Sequence, residues 1–302
     1  MQSISYYFHN PRKLGLRLLV RFGSWLPDKA FLKCKFRLAM GYKLDLKNPK
    51  SFSEKLQWLK LYDRRPEYTT MVDKVKAKEY VSSVIGKEYI IPTLGVWADP
   101  DEISFYNLPN RFVLKVNHNS GTGMYICKDK NTMDIEKVKA GLRKGLKENF
   151  YMINREWPYK DVQRRIIAEK YMEDDYGELR DYKFFCFDGV VKAMFIAKDR
   201  SKGEDAVRFD FFDADFNHLP FTNGHPNAEI LPEKPKKFEE MKQLASKLSK
   251  GIPHVRIDFF EVGDKVFFGE MTFFHWGGTM PFDPVEWDYV FGQWIILPTK
   301  RT

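Results

Sequence analysis

Two stretches, Val255-Arg-Ile-Asp-Phe-Phe-Glu261 and Phe267-Phe-Gly-Glu-Met-Thr272, decide how this chain is read. Both alternate polar with apolar residues at a period of two, as strands do. Gly263-Asp264 between them is a hairpin turn signal. Arg256 and Asp258 share one face of the first strand, and Glu270 and Thr272 share one face of the second. A tight hairpin brings two carboxylates, a hydroxyl and a guanidinium onto one patch. Like charges that close repel unless a cation lies between them, and two carboxylates with phosphate oxygens are a usual way to hold Mg²⁺. A solvated hairpin face with an Arg256–Asp258 pair is the other reading of the same residues.

Outward from the hairpin, the pattern predicts helices at 29–40, 55–61, 73–84, 134–149 and 238–249. The second of these opens on the capping box Ser51-Phe-Ser-Glu54. Strands are expected at 89–91, 112–116, 124–127, 166–171, 182–187, 190–196 and 207–216. Strands paired between helices argue for an α+β fold with antiparallel sheets. The expected organisation is a helical N-terminal extension over 1–62, a first lobe over 63–165 and a C-terminal lobe over 166–302.

The chain has 302 residues, 43% hydrophobic and 16% aromatic, which suits a sizeable core and excludes a disordered chain. Fifty Lys and Arg against 41 Asp and Glu give +9, an excess that favours anionic partners without choosing among them. Basic residues are not interleaved with aromatics as in nucleic-acid readers, so no nucleic-acid partner is expected. Three scattered cysteines offer no disulfide framework and no metal spacing, as in a reducing cytoplasm. No apolar run reaches the roughly 18 to 20 residues that cross a bilayer. Within 12–26, Gly15, Leu19, Phe22 and Leu26 line one side of a helix, Lys13, Arg17 and Arg21 another, and Trp25 lies near its end. Such a helix suits either peripheral contact with the inner face of a membrane or packing on its own domain.

Three further segments bear chemistry. Phe112-Val-Leu-Lys115-Val-Asn-His-Asn-Ser120-Gly-Thr-Gly123 is a strand carrying a lysine, then a small glycine-bearing loop. Such a loop offers backbone N–H groups to phosphate or is a plain turn, and it fits neither the Walker nor the dinucleotide pattern. In Ile166-Ile-Ala-Glu-Lys-Tyr-Met-Glu173, Glu169 and Tyr171 share a side, as an adenine-reading strand or a charged edge strand would have it. His275-Trp276 follows the hairpin and either borders a substrate or shapes the loop. Asp213-Ala-Asp215 reads as a turn, or as the metal-binding motif of a glycosyltransferase using a sugar nucleotide.

Taken in order, these pieces resemble the ATP-grasp superfamily, most closely the TupA-like ATP-grasp group found with bacterial surface-polysaccharide genes. The likeness spans 44–298. It is carried by Leu46-Lys-Asn-Pro-Lys-Ser-Phe-Ser-Glu-Lys-Leu-Gln-Trp58, Val72-Asp-Lys74 and Phe268-Gly-Glu-Met-Thr-Phe273 with Gly277-Gly278. The hinge phrase, the Arg-x-Asp and the carboxylate pair are similar to those of D-alanine–D-alanine ligases. The resemblance implies two α+β lobes clamping ATP. It implies that Lys74 and Lys115 touch the phosphates and that Ser120, Gly121, Thr122 and Gly123 close over them. Glu169, Lys170, Tyr171 and Met172 would hold adenine and Asp181 the ribose, with Lys183, Lys198 and Arg200 as further phosphate contacts. Asp258 and Glu270 would bind Mg²⁺, joined by Thr272 where the superfamily usually has asparagine. Arg256 would stabilise an acyl-phosphate. The implied activity is ATP-dependent ligation of an amino acid or small amine to a uronic acid of a surface polysaccharide or its precursor.

Overall fold

The computed structural model describes residues 10–177 and 179–300, with residues 201 and 204 described by backbone alone. Among the described residues, ten strands form two antiparallel sheets. The first has the order β1 (Thr93–Trp97), β4 (Ile166–Lys170), β2 (Phe112–Val116), β3 (Tyr125–Cys127). The second runs β10 (Lys265–Thr272), β9 (Val255–Val262), β5 (Asp181–Phe187), β6 (Val190–Lys198), β7 (Arg208–Asp213), β8 (His218–Leu219). Both fit the expected α+β class.

Every residue of β5 is buried, and so is the first half of β9. Such two-sided burial needs near-continuous apolar runs, so Asp181, Lys183, Arg256 and Asp258 are costly exceptions that must satisfy one another.

Helices α1 (Pro11–Phe22) and α2 (Asp28–Met40) precede α3 (Phe52–Tyr62), α4 (Glu67–Val72) and α5 (Lys76–Ile85). The capping box closes at both ends: Ser51 accepts from Glu54 N, and the Glu54 carboxylate accepts from Ser51 N. The helix expected at 73–84 is α5, which begins only at Lys76; α4 lies before that span, and the two are separated by a break at Asp73. Its carboxylate accepts from Val75 N and from Asn117 Nδ2, tying the break to the loop after β2. The strand expected at 89–91 is displaced past Pro92 to β1, while Ile90 makes only an isolated bridge to Phe268.

Ile166–Lys170 belongs to the first sheet, between β1 and β2, so that sheet ends after 170. The first lobe has its own small core, where Val138 and Leu142 of α6 (Ile135–Lys147) meet Phe112, Leu114 and Ile166. Helices α3, α4 and α5 join the larger core around the second sheet, with α8 (Phe238–Ser249). Helix α9 (Glu286–Trp294) packs on α3. There Asp288 accepts from Ser53 N, Lys55 donates to Gly292 O and Ile295 O, and a Cβ on Gly292 would come within 2.2 Å of Lys50 O.

Candidate active site

The hairpin meets at Gly263-Asp264, and Val262 to Phe259 pair with Lys265 to Phe268 in strict succession. Continued unchanged, that register sets Asp258 opposite Gly269 and turns Glu270 to the other face. A β-bulge at Gly269 adds one residue, so Glu270 pairs with Asp258 and Thr272 with Arg256. Glycine suits the bulge, since a Cβ there would lie 3.0 Å from Asp258 O.

Arg256 Nη2 is the point of convergence. It lies 2.7 Å from Asp258 Oδ2, 3.1 Å from Glu270 Oε1 and 3.0 Å from Thr272 Oγ1, and Nε donates to Asp258 Oδ1 at 2.7 Å. From β5, Lys183 donates to the same Asp258 and, at 3.0 Å, to Asp181, which also accepts from Arg200. Burial pushes the Glu270 carboxyl up, but Lys183, Lys74 and Arg256 outweigh it and hold it at about 2. Burial lowers the Lys183 ammonium against the opposing pull of Asp258.

Across from the hairpin, Lys74, Lys78, Lys115 and Glu169 face Phe268 to Met271 over a narrow cleft. Glu169 is clasped by Lys78 at 2.6 Å and Lys115 at 2.5 Å. At rest its carboxylate therefore holds two ammonium groups. Lys170 N donates to Pro92 O, and Tyr171 donates to Glu173 beneath the Arg111 guanidinium, so these hinge groups are engaged within their own lobe. Met172 lies half-buried just beyond β4. Lys74 donates to Asn119 O at 2.6 Å, which ties it to the loop at 120–123. Gly121 and Gly123 have φ of +89° and +76°. A Cβ on Gly123 would be 3.0 Å from the Gly145 Cα of α6, so this end of the loop is pinned while Ser120 and Gly121 are exposed. Thr122 is partly exposed beside them. Lys198 donates to Ile230 O and does not join the cluster.

A model of the TupA-like ATPgrasp family matches residues 54–296. The chain belongs to the TupA-like ATPgrasp family. No curated protein matches its sequence. Among solved structures it is similar to a D-alanine–D-alanine ligase from Helicobacter pylori, at 13% identity and TM-score 0.45 over 74% of this chain. It is similar to the ATP-grasp ligase PsnB with a phosphomimetic variant of its minimal precursor, Mg and ADP (10%, TM-score 0.42, 81% of this chain). An N5-carboxyaminoimidazole synthase from Aspergillus clavatus is a third (15%, TM-score 0.38, 68%). The chain spans 62%, 61% and 44% of their respective lengths.

Three sets of contacts in this ATP-grasp chain lay outside the sequence reading, which gave His275 only as bordering a substrate or shaping its loop. His275 is buried, its Nδ1 2.7 Å from Arg256 Nη1 and its Nε2 3.0 Å from Asn223 Oδ1. Gln57 and Lys60, two buried polar residues of α3, hold the turn after the hairpin by donating to Gly277 O at 3.1 and 2.7 Å. Burial lowers Lys60 to about 7 although Glu156 opposes it. Lys78, four residues after Lys74, is the third lysine of the cleft. Helical spacing carried that signal, whereas nothing local marked Asn223. Asp213 accepts from Asp215 N, Asn217 N and Asn217 Nδ2 within its own turn, which favours the turn over the transferase motif.

Proposed function

We propose that this ATP-grasp chain is an ATP-dependent carboxylate–amine ligase, working in the cytoplasm at the inner face of the membrane. It would join an amino acid or small amine to a uronic acid of a capsular or other surface polysaccharide, or its precursor. The observation that carries the reading is the meeting of three oxygen acceptors at one cationic nitrogen, Arg256 Nη2, beside a lysine-lined cleft that Glu270 itself lines.

A carboxylate resists amines because its oxygen is a poor leaving group. Moving the ATP γ-phosphoryl onto it gives an acyl-phosphate, which the amine attacks with release of phosphate. Phosphoryl transfer needs positioning and charge neutralisation more than covalent help. Lys74, Lys115 and Lys183 would draw the phosphates into the cleft, Glu169 to Met172 would seat the adenine, and Asp181 would face the ribose. Arg256 would neutralise the acyl-phosphate and the tetrahedral species after it. Closing Ser120 to Gly123 over the phosphates would keep water from the acyl-phosphate.

The donors Asp258, Glu270 and Thr272 are hard oxygens of the kind Mg²⁺ takes, and the Arg256 guanidinium lies among them. Among the described residues no three His, Cys, Asp or Glu gather into a cage, so the ion would be shared with the nucleotide's phosphates. When bound, Mg²⁺ would offset phosphate charge.

Calorimetry of ATP against UDP-sugars, with and without Mg²⁺, on wild type and Glu270→Ala tests this reading. Micromolar ATP binding that requires Mg²⁺ and weakens in the variant is expected. UDP-sugar binding indifferent to Glu270 would favour a glycosyltransferase. ADP release with paired uronic acids and amino acids then identifies the substrates.

A further inference from the structure

Helix α1 has no buried residue. It packs on α2 through Gly15 against Leu38, and the turn glycine Gly23 packs against Phe31, so the two helices form an antiparallel pair. Beside that seam, Leu14, Leu18, Phe22 and Trp25 are 38%, 47%, 60% and 79% exposed. Their spacing of four, four and three puts all four on one ridge. An isolated exposed apolar side chain is ordinary, but a continuous ridge is not.

The charge around this ridge is lopsided. Residues 10–40 hold eight Lys and Arg and one Asp, a net +7 of the +9 carried by the whole chain. The remaining residues are close to neutral. Seven of the eight basic residues are exposed, and the eighth, Lys35, is buried and donates to Ile153 O. The one acid, Asp28, is held by Arg64 at 2.7 Å. Arg17 and Arg21 flank the ridge, and Lys29, Lys33 and Arg37 recur every four residues along α2. The pair also lies outside residues 54–296, which carry the family match.

We infer that α1 and α2 form a docking device for an anionic lipid bilayer, with Leu14, Leu18, Phe22 and Trp25 entering the headgroup region while the basic residues meet lipid phosphates. Apolar burial and charge attraction act together at such a surface, and neither alone holds a protein firmly. Nucleic acid would use the charge but leave the apolar ridge uncovered. The inference deepens the placing of the ligase at a membrane, yet its evidence is independent of the nucleotide site.

The test is co-sedimentation of the full chain with vesicles of phosphatidylcholine alone or with phosphatidylglycerol, at low and high salt. Wild type should bind the anionic vesicles and not the neutral ones. Leu18→Glu with Phe22→Glu changes only exposed side chains and should weaken binding at least about tenfold. Lys29→Glu with Lys33→Glu should do the same at low salt, whereas Lys144→Glu with Lys147→Glu on α6 should have little effect. ATP affinity, measured in parallel, should not change in any of these variants. No vesicle binding, or binding indifferent to Leu18 and Phe22, overturns the inference. So does a preference for a DNA duplex over the anionic vesicles. Lost ATP binding alone bears on the ligase reading and not on this one.

Discussion

His275 Nδ1 lies 2.7 Å from Arg256 Nη1. An arginine can only donate, so Nδ1 is the acceptor and the proton sits on Nε2, facing Asn223 Oδ1 at 3.0 Å. Asn223 is itself fixed by donating to Met280 O and Pro281 O. Burial, with Arg256 next to it, holds His275 well below its ordinary pKa and so neutral. The relay sets the plane of the guanidinium, which makes His275 a positioning residue. His275→Leu should lower kcat by about 10² while leaving the KM for ATP within a few-fold, because a small misplacement of a charged group is costly. His275→Gln, which can still accept and donate, should recover part of the loss. Steady-state kinetics on both variants decides it, and equal losses from both would remove the positioning role.

Gly269 makes a second prediction. Deleting it removes the extra residue, and the plain ladder then sets Glu270 opposite Asp258 and Thr272 opposite Arg256, on the same face as before. Strand β10 is an edge strand, so the sheet should survive. Far-ultraviolet circular dichroism should be retained and Mg²⁺-dependent ATP binding should stay within a few-fold of wild type, whereas adding a second glycine after Gly269 turns Glu270 and Thr272 to the far face and should weaken that binding at least about tenfold. Equal effects of the deletion and the insertion would show that strand register is not what aligns the carboxylates.

Trp276 offers a third. It is 39% exposed, has φ of +50°, and lies beside His225 and over Gly224, where a Cβ would come within 2.9 Å of the indole. A bulky residue held in the left-handed region costs of order 1–3 kcal/mol and is a hallmark of functional sites. Under the proposed function it would be a stacking surface for the acceptor's sugar ring, and so should matter to the acceptor and not to the nucleotide. Trp276→Ala should raise the KM for the acid substrate roughly tenfold with ATP affinity unchanged, read by ADP-release kinetics and calorimetry.

Stability should fall in mild acid. His254 donates from Nδ1 to Cys186 O, and its Nε2 is buried with no partner among the described residues. Burial is the main reason that its pKa drops from 6.5 to about 3. Between those values the unfolded chain binds a proton that the folded chain refuses. Stability is therefore intact above about pH 6.5 and declines as pH falls toward 3, by up to about 1.4 kcal/mol per pH unit for this group. Buried His275 adds to the same slope. Urea unfolding from pH 7.5 to 5 should show the decline, and His254→Gln, though less stable at pH 7.5, should flatten it. An unchanged slope would assign the acid lability to other groups.

Much of this site is written locally. Arg256, Asp258, Glu270 and Thr272 sit at strand periodicity around a turn dipeptide, and Ser51 with Glu54 announces a helix start. What is less legible depends on contacts distant in sequence. The face shared by Glu270 and Asp258 depends on a one-residue bulge, and Gly269 in a strand interior is the only mark of it. Asn223 reaches His275 across 52 residues, with no pattern to flag it. Residues 166–170 look like the start of a new segment because a helix precedes them. Their backbone instead pairs inside the first sheet, and pairing partners are not encoded by a strand's own period. Asp73 breaks a helical pattern because it serves Asn117, 44 residues away.

The clasp between α3 and α9 also governs how the molecule is made. Chains leave the ribosome from the N-terminus at a few to about twenty residues per second. During that time the α1–α2 pair and the first sheet can each complete their local contacts. The contacts that residues 286–296 make with Phe52, Ser53 and Lys55 are among the last the chain can form. Until they form, the part of the phenylalanine-rich core that they cover is exposed. The newborn chain's exposure to aggregation is thus concentrated in one late window, and a lesion at Gly292, where α9 presses on Lys50, should lower soluble yield.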